Sequence, residues 1–181
     1  QENLSWHESP GYESAPAASF IPPASSDDSV FVDLTGLVAD WIEGRRENRG
    51  LMLKLENETS GPEALFEFAS RESPPRTVTT DTDTLVYDFR PVLRIAYLDT
   101  AQVETLAVAL PTEDSFADTL VGAIPAAGQT IVAGNGYRSR AYVRFDLSSI
   151  SESASLTRAI LRLTPDLAES SFDSMGISVH A

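Results

Sequence analysis

The stretch GYRSRAYVRFDLSSISESASLTRAILRL, residues 136–163, decides the fold. Apolar and polar side chains alternate near both of its ends, which is the two-residue period of a strand with one buried face. The predicted inward residues are Ala141, Val143, Phe145 and Leu147 near the first end, and Ala159, Leu161 and Leu163 near the second. The stretch therefore predicts two strands, each of which turns an apolar face toward a core.

Outward from this stretch, the same alternation predicts further short strands. They lie at residues 29–34, 51–55, 65–69, 91–98, 105–110, 115–122, 130–133 and 175–179. Residues 35–44 differ, because their apolar positions have helical spacing, with Thr35 as candidate N-cap and Gly44 as candidate C-terminal stop. Residues 1–28, apart from a short strand at 4–6, and residues 73–83 are predicted to be loop. About ten short strands and one short helix predict an all-β, antiparallel β-sandwich.

Composition limits the classes of partner. The chain has 27 acidic and 13 basic residues, a formal net charge of −14. We therefore expect no nucleic-acid partner, because a phosphate backbone would be repelled. We also expect no membrane insertion, because no apolar run reaches the ~20 residues that a spanning helix needs. The absence of cysteine excludes disulfides, thiolate metal sites and thiol catalysis.

Several segments resemble a known secreted module. TIVAGNG, AYVRFDLSSI and SLTRAILRL, within residues 110–163, are similar to the N-terminal half of the DNRLRE-type module. LSWHES, VFVDLTGLVADWIEGRRENRGLMLKL, FEFASRES and RPVLRIAY, within residues 4–97, are similar to its C-terminal half. The resemblance implies a jelly-roll β-sandwich, secreted or on the cell surface, that binds acidic polysaccharide without catalysis.

The two halves occur in reversed order in this chain. Residues 1–98 resemble the C-terminal half, residues 99–102 are the expected linker, and residues 103–181 resemble the N-terminal half. The chain would then be a circular permutant, a unit of a longer tandem array, or a subunit completed by its neighbour. Neither half should be stable alone, because each would expose an apolar sheet face. Completion by a neighbour implies the alternative function, a structural subunit of an extracellular filament assembled head-to-tail from copies of itself.

Candidate glycan-binding residues lie mainly on the polar faces of the two strands in residues 136–163. Lys54 is the only lysine, so the other twelve basic residues are arginines, which suit bidentate recognition of carboxylates. The candidates are Arg138, Arg140, Tyr142, Arg144, Arg158 and Arg162, with the tyrosine as a flat surface for a sugar ring. The alternative is that these arginines pair with Asp or Glu on neighbouring strands.

Acidic loops supply candidate ligands for a structural Ca²⁺, which takes about six to eight oxygen ligands, often from loops. The candidates are Asp81, Asp83, Asp114 and Asp118, and the alternative is solvated loop charge. His7 and His180 are the only histidines, and neither belongs to a catalytic triad or a zinc-binding motif. We therefore expect a binding protein rather than an enzyme.

Overall fold

A computed structural model describes residues 4–5, 11–22, 29–58, 65–79, 83–118, 130–134, 139–171 and 176–181. These residues form fifteen strands and one helix, α1 (Thr35–Ile42). The strands are β1 (Leu4–Ser5), β2 (Ala18–Phe20), β3 (Val30–Asp33), β4 (Leu51–Leu55), β5 (Leu65–Ala69), β6 (Arg76–Thr79), β7 (Thr84–Tyr87), β8 (Val92–Leu98), β9 (Glu104–Ala109), β10 (Pro111–Asp118), β11 (Thr130–Gly134), β12 (Arg140–Phe145), β13 (Ser155–Leu163), β14 (Pro165–Ser171) and β15 (Ile177–His180).

The strands form a sandwich of mostly antiparallel sheets, which confirms the predicted all-β class with one short helix in the described part of the chain. The six-stranded sheet has the order β1-β10-β12-β4-β15-β2, and the four-stranded sheet has the order β3-β13-β8-β9. A three-stranded sheet, β11-β5-β14, and the β6–β7 hairpin complete the fold. The one parallel pair among the described strands is β1 with β10. Among the described residues, no helix is long and apolar enough to cross a membrane.

The two strands of residues 136–163 lie in different sheets. β12 belongs to the six-stranded sheet and β13 to the four-stranded sheet. Their predicted inward faces are confirmed, because Val143, Phe145, Leu161 and Leu163 are all buried in one apolar core. The stretch thus joins the two main sheets and supplies each with part of its inner face.

The core also includes the helix and the three-stranded sheet. Trp41 is buried on α1, and Phe66 and Phe68 are buried on β5, as their spacing predicts. The expected N-cap is wrong by one residue: the helix begins at Thr35 itself, and Leu34 is the N-cap and makes no side-chain cap bond. Asp33 instead accepts hydrogen bonds from the backbone N–H and the hydroxyl of Thr35. Gly44 follows the C-cap with φ +70°, as a C-terminal stop requires.

The predicted halves of the chain interleave. β4, from residues 1–98, lies between β12 and β15, and β13 lies between β3 and β8. Residues 99–102 form the tight turn of the β8–β9 hairpin, in which Asp99 accepts hydrogen bonds from the N–H groups of Ala101 and Val103. The expected linker is therefore a hairpin turn, and both halves contribute to one core within the chain.

Four described strands fall where the sequence predicts none. β2 lies in the predicted N-terminal loop, and β6 lies inside the predicted loop at 73–83. β7 has four exposed residues and β14 is rich in Ser, Asp and Glu, so neither shows an alternation of apolar side chains. Each is hydrogen-bonded to a neighbouring strand, and that pairing, not apolar alternation, defines it.

Candidate functional site

The outer face of the four-stranded sheet is an unusual surface for an acidic protein. We define the outer face as the side chains of β3, β13, β8 and β9 that point away from the core. Its central members are Phe31, Arg94, Leu106, Val108, Arg158, Ile160 and Arg162. Phe31, Leu106 and Val108 are well exposed, whereas the alternate residues of the same strands are buried or half-buried. Apolar side chains and guanidinium groups therefore share one exposed sheet surface.

Strand register places three arginines in a triangle on this face, with Arg158 and Arg162 on β13 and Arg94 on β8. Ile160 lies opposite Arg94, and Arg158 lies opposite Ala96, in the β13–β8 ladder. Arg94 is therefore a diagonal neighbour of both Arg158 and Arg162, at a Cα separation of about 7–8 Å. The three arginines therefore start from one small area of the outer face.

Two of these arginines lack a carboxylate partner. In the described part of the chain, neither Arg94 nor Arg158 forms an ion pair, and both are exposed. Asp33 shares the face, but its pKa is lowered mainly by hydrogen bonds from Thr35, and the charge of Arg158 is the smallest contribution. Exposed arginines without partners are available to a ligand, unlike arginines already held in ion pairs.

Arg162 is held differently. Its Nη2 donates to the backbone carbonyl of Asp88 at 2.6 Å and to that of Arg90 at 3.3 Å. Its pKa is lowered, first by burial and then by repulsion from Arg94. Asp88 is engaged by Arg90 through hydrogen bonds of 2.7 and 2.9 Å, which lower the pKa of its carboxyl. The positive charge near Arg94 and Arg162 is therefore not fully neutralised by the protein.

A shallow groove of about 580 Å³ lies on this face. Phe31, Leu106 and Ile160 supply apolar lining, and Arg94 and Arg158 supply charge. The hydroxyl of Thr157, also in the lining, donates to the backbone carbonyl of Ala96 at 2.8 Å. An apolar surface with a few charged groups suits a ligand with flat, weakly polar surfaces and anionic substituents.

No protein-family model, curated protein or solved structure matches this chain. Its function must therefore be argued from the outer face and from the sequence resemblance described above.

Arg140 departs from its predicted outward position. It is 8% exposed, although it alternates with the inward residues of β12. Its Nε and Nη2 each donate to a carboxylate oxygen of Glu58 at 2.7 Å. Its guanidinium also lies 5.0 Å from the ring centroid of Tyr12. The expectation that Arg140 faces solvent is therefore corrected: the side chain is covered and paired.

Residues 11–17, which we call the covering segment, explain this burial. The segment runs along β15, where Glu13 N–H donates to the carbonyl of Ala181 at 2.9 Å and Ala17 N–H donates to that of Val179 at 2.7 Å. Tyr12 thereby lies over β4, β12 and β15, and its ring meets that of His180 edge-on at 5.2 Å. The outer surface of the six-stranded sheet is occupied here by the chain itself.

His180 is buried beneath the covering segment. Its Nδ1 lies 2.8 Å from the carbonyl oxygen of Glu13, and its Nε2 lies 3.0 Å from Oγ of Ser178. Its pKa is lowered, mainly by burial, while the nearby charges of Lys54 and Arg140 lower it further. The neutral imidazole therefore holds the covering segment against β15.

The other candidates on β12 are also partly satisfied within the protein. Tyr142 is half-buried, and Arg144 is exposed with its Nη1 3.6 Å from a carboxylate oxygen of Glu113. Arg138 lies outside the described residues. The described candidates thus divide between two sheets: Arg140, Tyr142 and Arg144 on the six-stranded sheet, and Arg158 and Arg162 on the four-stranded sheet.

A second cleft, of about 670 Å³, lies near the end of β12. Trp41, Arg144, Asp146 and Glu152 are among its lining residues. Its charges have mixed sign, and Arg144 already faces Glu113. This cleft therefore offers less to an anionic ligand than the outer face does.

The predicted metal ligands do not come together in the described residues. Asp83 accepts a hydrogen bond from the N–H of Thr84, and Asp114 is buried and accepts one from the N–H of Arg71 at 2.6 Å. Burial is the main cause of the raised pKa of Asp114. Asp81 and the side chain of Asp118 lie outside the described residues. Among the residues that are described, no three acidic or histidine side chains form a metal-binding group; a structural Ca²⁺ stays a prediction.

The sequence argument named Arg158 and Arg162 of the outer face and omitted its other members, including Arg94 and Phe31. The alternation of residues 91–98 already places Arg94 on a polar face. That signal gains meaning only through the β13–β8 and β13–β3 ladders, which bring both residues beside Arg162.

Proposed function

We propose that this protein is a non-catalytic module that binds acidic polysaccharide on its outer face. The observation that carries the proposal is the position of Arg94 and Arg158. Both are exposed, form no ion pair with any described residue, and line one groove with Phe31 and Leu106. Guanidinium groups bind carboxylates, and exposed aromatic and aliphatic groups pack against the apolar faces of sugar rings. The resemblance to DNRLRE-type modules, and with it a secreted or cell-surface location, belongs to the same proposal.

Two features favour binding over hydrolysis. Glu104 is the one carboxylate among the described residues that line the groove. Glycoside hydrolysis commonly needs a pair of carboxylates across the scissile bond. The groove is also shallow, so a long chain would lie along it rather than be enclosed.

Closure of the fold within one chain also supports this proposal over a filament of exchanged halves. Strands from residues 1–98 pair with strands from residues 103–181 in both main sheets, and the two parts share one core. The inner apolar faces of these sheets are therefore covered within one chain. The outer face is then a property of a single molecule.

The test is affinity electrophoresis through gels that contain polygalacturonate, with dextran as the neutral control. We expect retardation by polygalacturonate alone, weakening as salt is added, because the contacts are ionic. Arg94→Ala/Arg158→Ala should lose this retardation while keeping its unfolding temperature. Arg45→Ala/Arg49→Ala is the matched control, because it also removes two exposed arginines, each of which forms an ion pair at 2.7 Å.

The proposal is wrong if wild-type protein migrates identically in gels with and without acidic polysaccharide. It is also wrong if the paired-arginine control loses retardation as completely as the outer-face variant. In that case, general charge rather than the arginines of the outer face would explain the binding.

A further inference from the structure

The four-stranded sheet has two edge strands, β3 and β9, and β9 is the longer of the two. Its ladder with β8 runs through six consecutive pairs, from Leu93 opposite Ala109 to Leu98 opposite Glu104, without a bulge. A strand at the end of a sheet has N–H and C=O groups on its far side that its one neighbour does not use. In the described part of the chain, no strand pairs with that side of β9.

β9 lacks the usual features that prevent edge-to-edge pairing. Such edges are normally very short, bulged, or marked by Lys or Pro. The β2 edge of the six-stranded sheet follows this rule, since β2 has three residues. β9 has six residues, carries neither Lys nor Pro, and exposes Leu106 (66%) and Val108 (58%).

We propose that β9 pairs in antiparallel fashion with β9 of a second copy of this chain. The occupant of such an edge must be an extended strand, because the edge offers backbone hydrogen bonds. A two-fold axis at Ala107 would set Leu106 opposite Val108 of the second copy, and Glu104 opposite Leu110 of the second copy. Apolar side chains then face each other across the junction, and no like charges are opposed.

The geometry of the contact favours an isologous dimer over continued growth, and charge sets its dependence on salt. The β9 edges of both copies are fully paired in this dimer, so neither edge is left to bind a third copy. Each chain carries a net charge of −14, so the two copies repel each other at long range. Salt screens that repulsion while leaving the apolar contact intact, so dimerisation should strengthen with salt. Binding of an acidic polysaccharide should do the opposite, which separates the two proposals.

The experiment is sedimentation-velocity ultracentrifugation of the full chain over a range of protein and salt concentrations. We expect a concentration-dependent dimer that tightens with salt. Leu106→Lys/Val108→Lys should weaken it by at least about tenfold, because a lysine pair on the edge opposes another strand. Leu85→Lys/Val86→Lys, on the exposed β7 strand, adds the same charge away from β9 and should dimerise like the wild type.

Hydrogen exchange of the wild type gives a second measurement that needs no variant. Amides of β9 should gain protection as protein concentration rises, while amides of β7 should not. A wild type that stays monomeric at its highest soluble concentration in high salt overturns the proposal. Equal dimerisation of the edge variant, equal loss in the β7 control, or a dimer without new protection at β9 overturns it as well.

Discussion

Replacing Arg140 with methionine removes the guanidinium that forms two 2.7 Å hydrogen bonds with Glu58. The two side chains are 9% and 11% exposed, so the variant leaves a desolvated carboxylate. Removing one partner of a buried ion pair costs about 3–5 kcal/mol. We expect a loss near the lower limit, about 3 kcal/mol, because Lys54 remains 3.9 Å from Glu58 as a second cation.

The assay is urea unfolding followed by tryptophan fluorescence, supported by thermal unfolding. A loss of this size should lower Tm by roughly 6–12 °C in a chain of this length. Arg144→Met is the matched control on the same strand. Its guanidinium is 51% exposed and 3.6 Å from Glu113, so its loss should cost less than about 0.5 kcal/mol.

A double-mutant cycle isolates the pair. Glu58→Met should cost about as much as Arg140→Met, because it leaves a buried guanidinium without its carboxylate partner. The double variant should be no less stable than either single variant, which corresponds to a coupling of about 3 kcal/mol. Additive single effects, or a loss in Arg140→Met as small as that in Arg144→Met, would refute the reasoning.

Three further changes test separate features. The pKa of His180 is lowered in the folded state, so the unfolded chain takes up this proton at a higher pH than the folded chain does. The free energy of unfolding should therefore fall as pH drops from about 6.5 toward the folded pKa. The urea midpoint of His180→Gln should depend less on pH than that of the wild type, and an equal dependence would contradict this. Gly50→Ala should cost more than about 2 kcal/mol, because φ is +95° and the new Cβ would lie 2.9 Å from the carbonyl oxygen of Val143. Gly36→Ala, in open space on α1, should instead gain about 0.5 kcal/mol, and equal losses in urea unfolding would remove the steric argument. Gln102→Gly should gain about 0.5 kcal/mol by relieving φ +61°, and an unchanged or lower Tm would count against that strain.

The parts of the fold that follow from local alternation are predictable. β4 and β5 begin and end at the predicted residues, and the inward residues of β12 and β13 are buried. The sequence does not predict β6 and β7, because β7 exposes all four of its residues and the mutual hydrogen bonding of the two strands defines them. Alternation also reports burial only in part, since Leu106, Val108 and Leu110 alternate in residues 105–110 and are all exposed.

The arginines of the candidate site also show where prediction from local sequence ends. Arg140 and Arg158 look alike in sequence, since each alternates with inward apolar residues. One is buried because residues far away in the chain, Tyr12 and Glu58, meet it, and the other stays exposed. Whether an arginine on a polar face is free or paired depends on sheet order and on covering segments. Neither sheet order nor a covering segment can be predicted from the alternation within a single strand.

The covering segment has a chemical consequence. Lys54 carries the only side-chain amine of the protein, and Tyr12 lies over it with Nζ 5.3 Å from the ring centroid. The Lys54 side chain is only 18% exposed, so an acylating reagent should react faster with this amine whenever residues 11–17 move away. The rate of Lys54 acylation, read as one peptide in a mass spectrum, would therefore time the opening of the segment. For the same reason, attaching the protein to a solid support through this lysine would select molecules caught in the opened form.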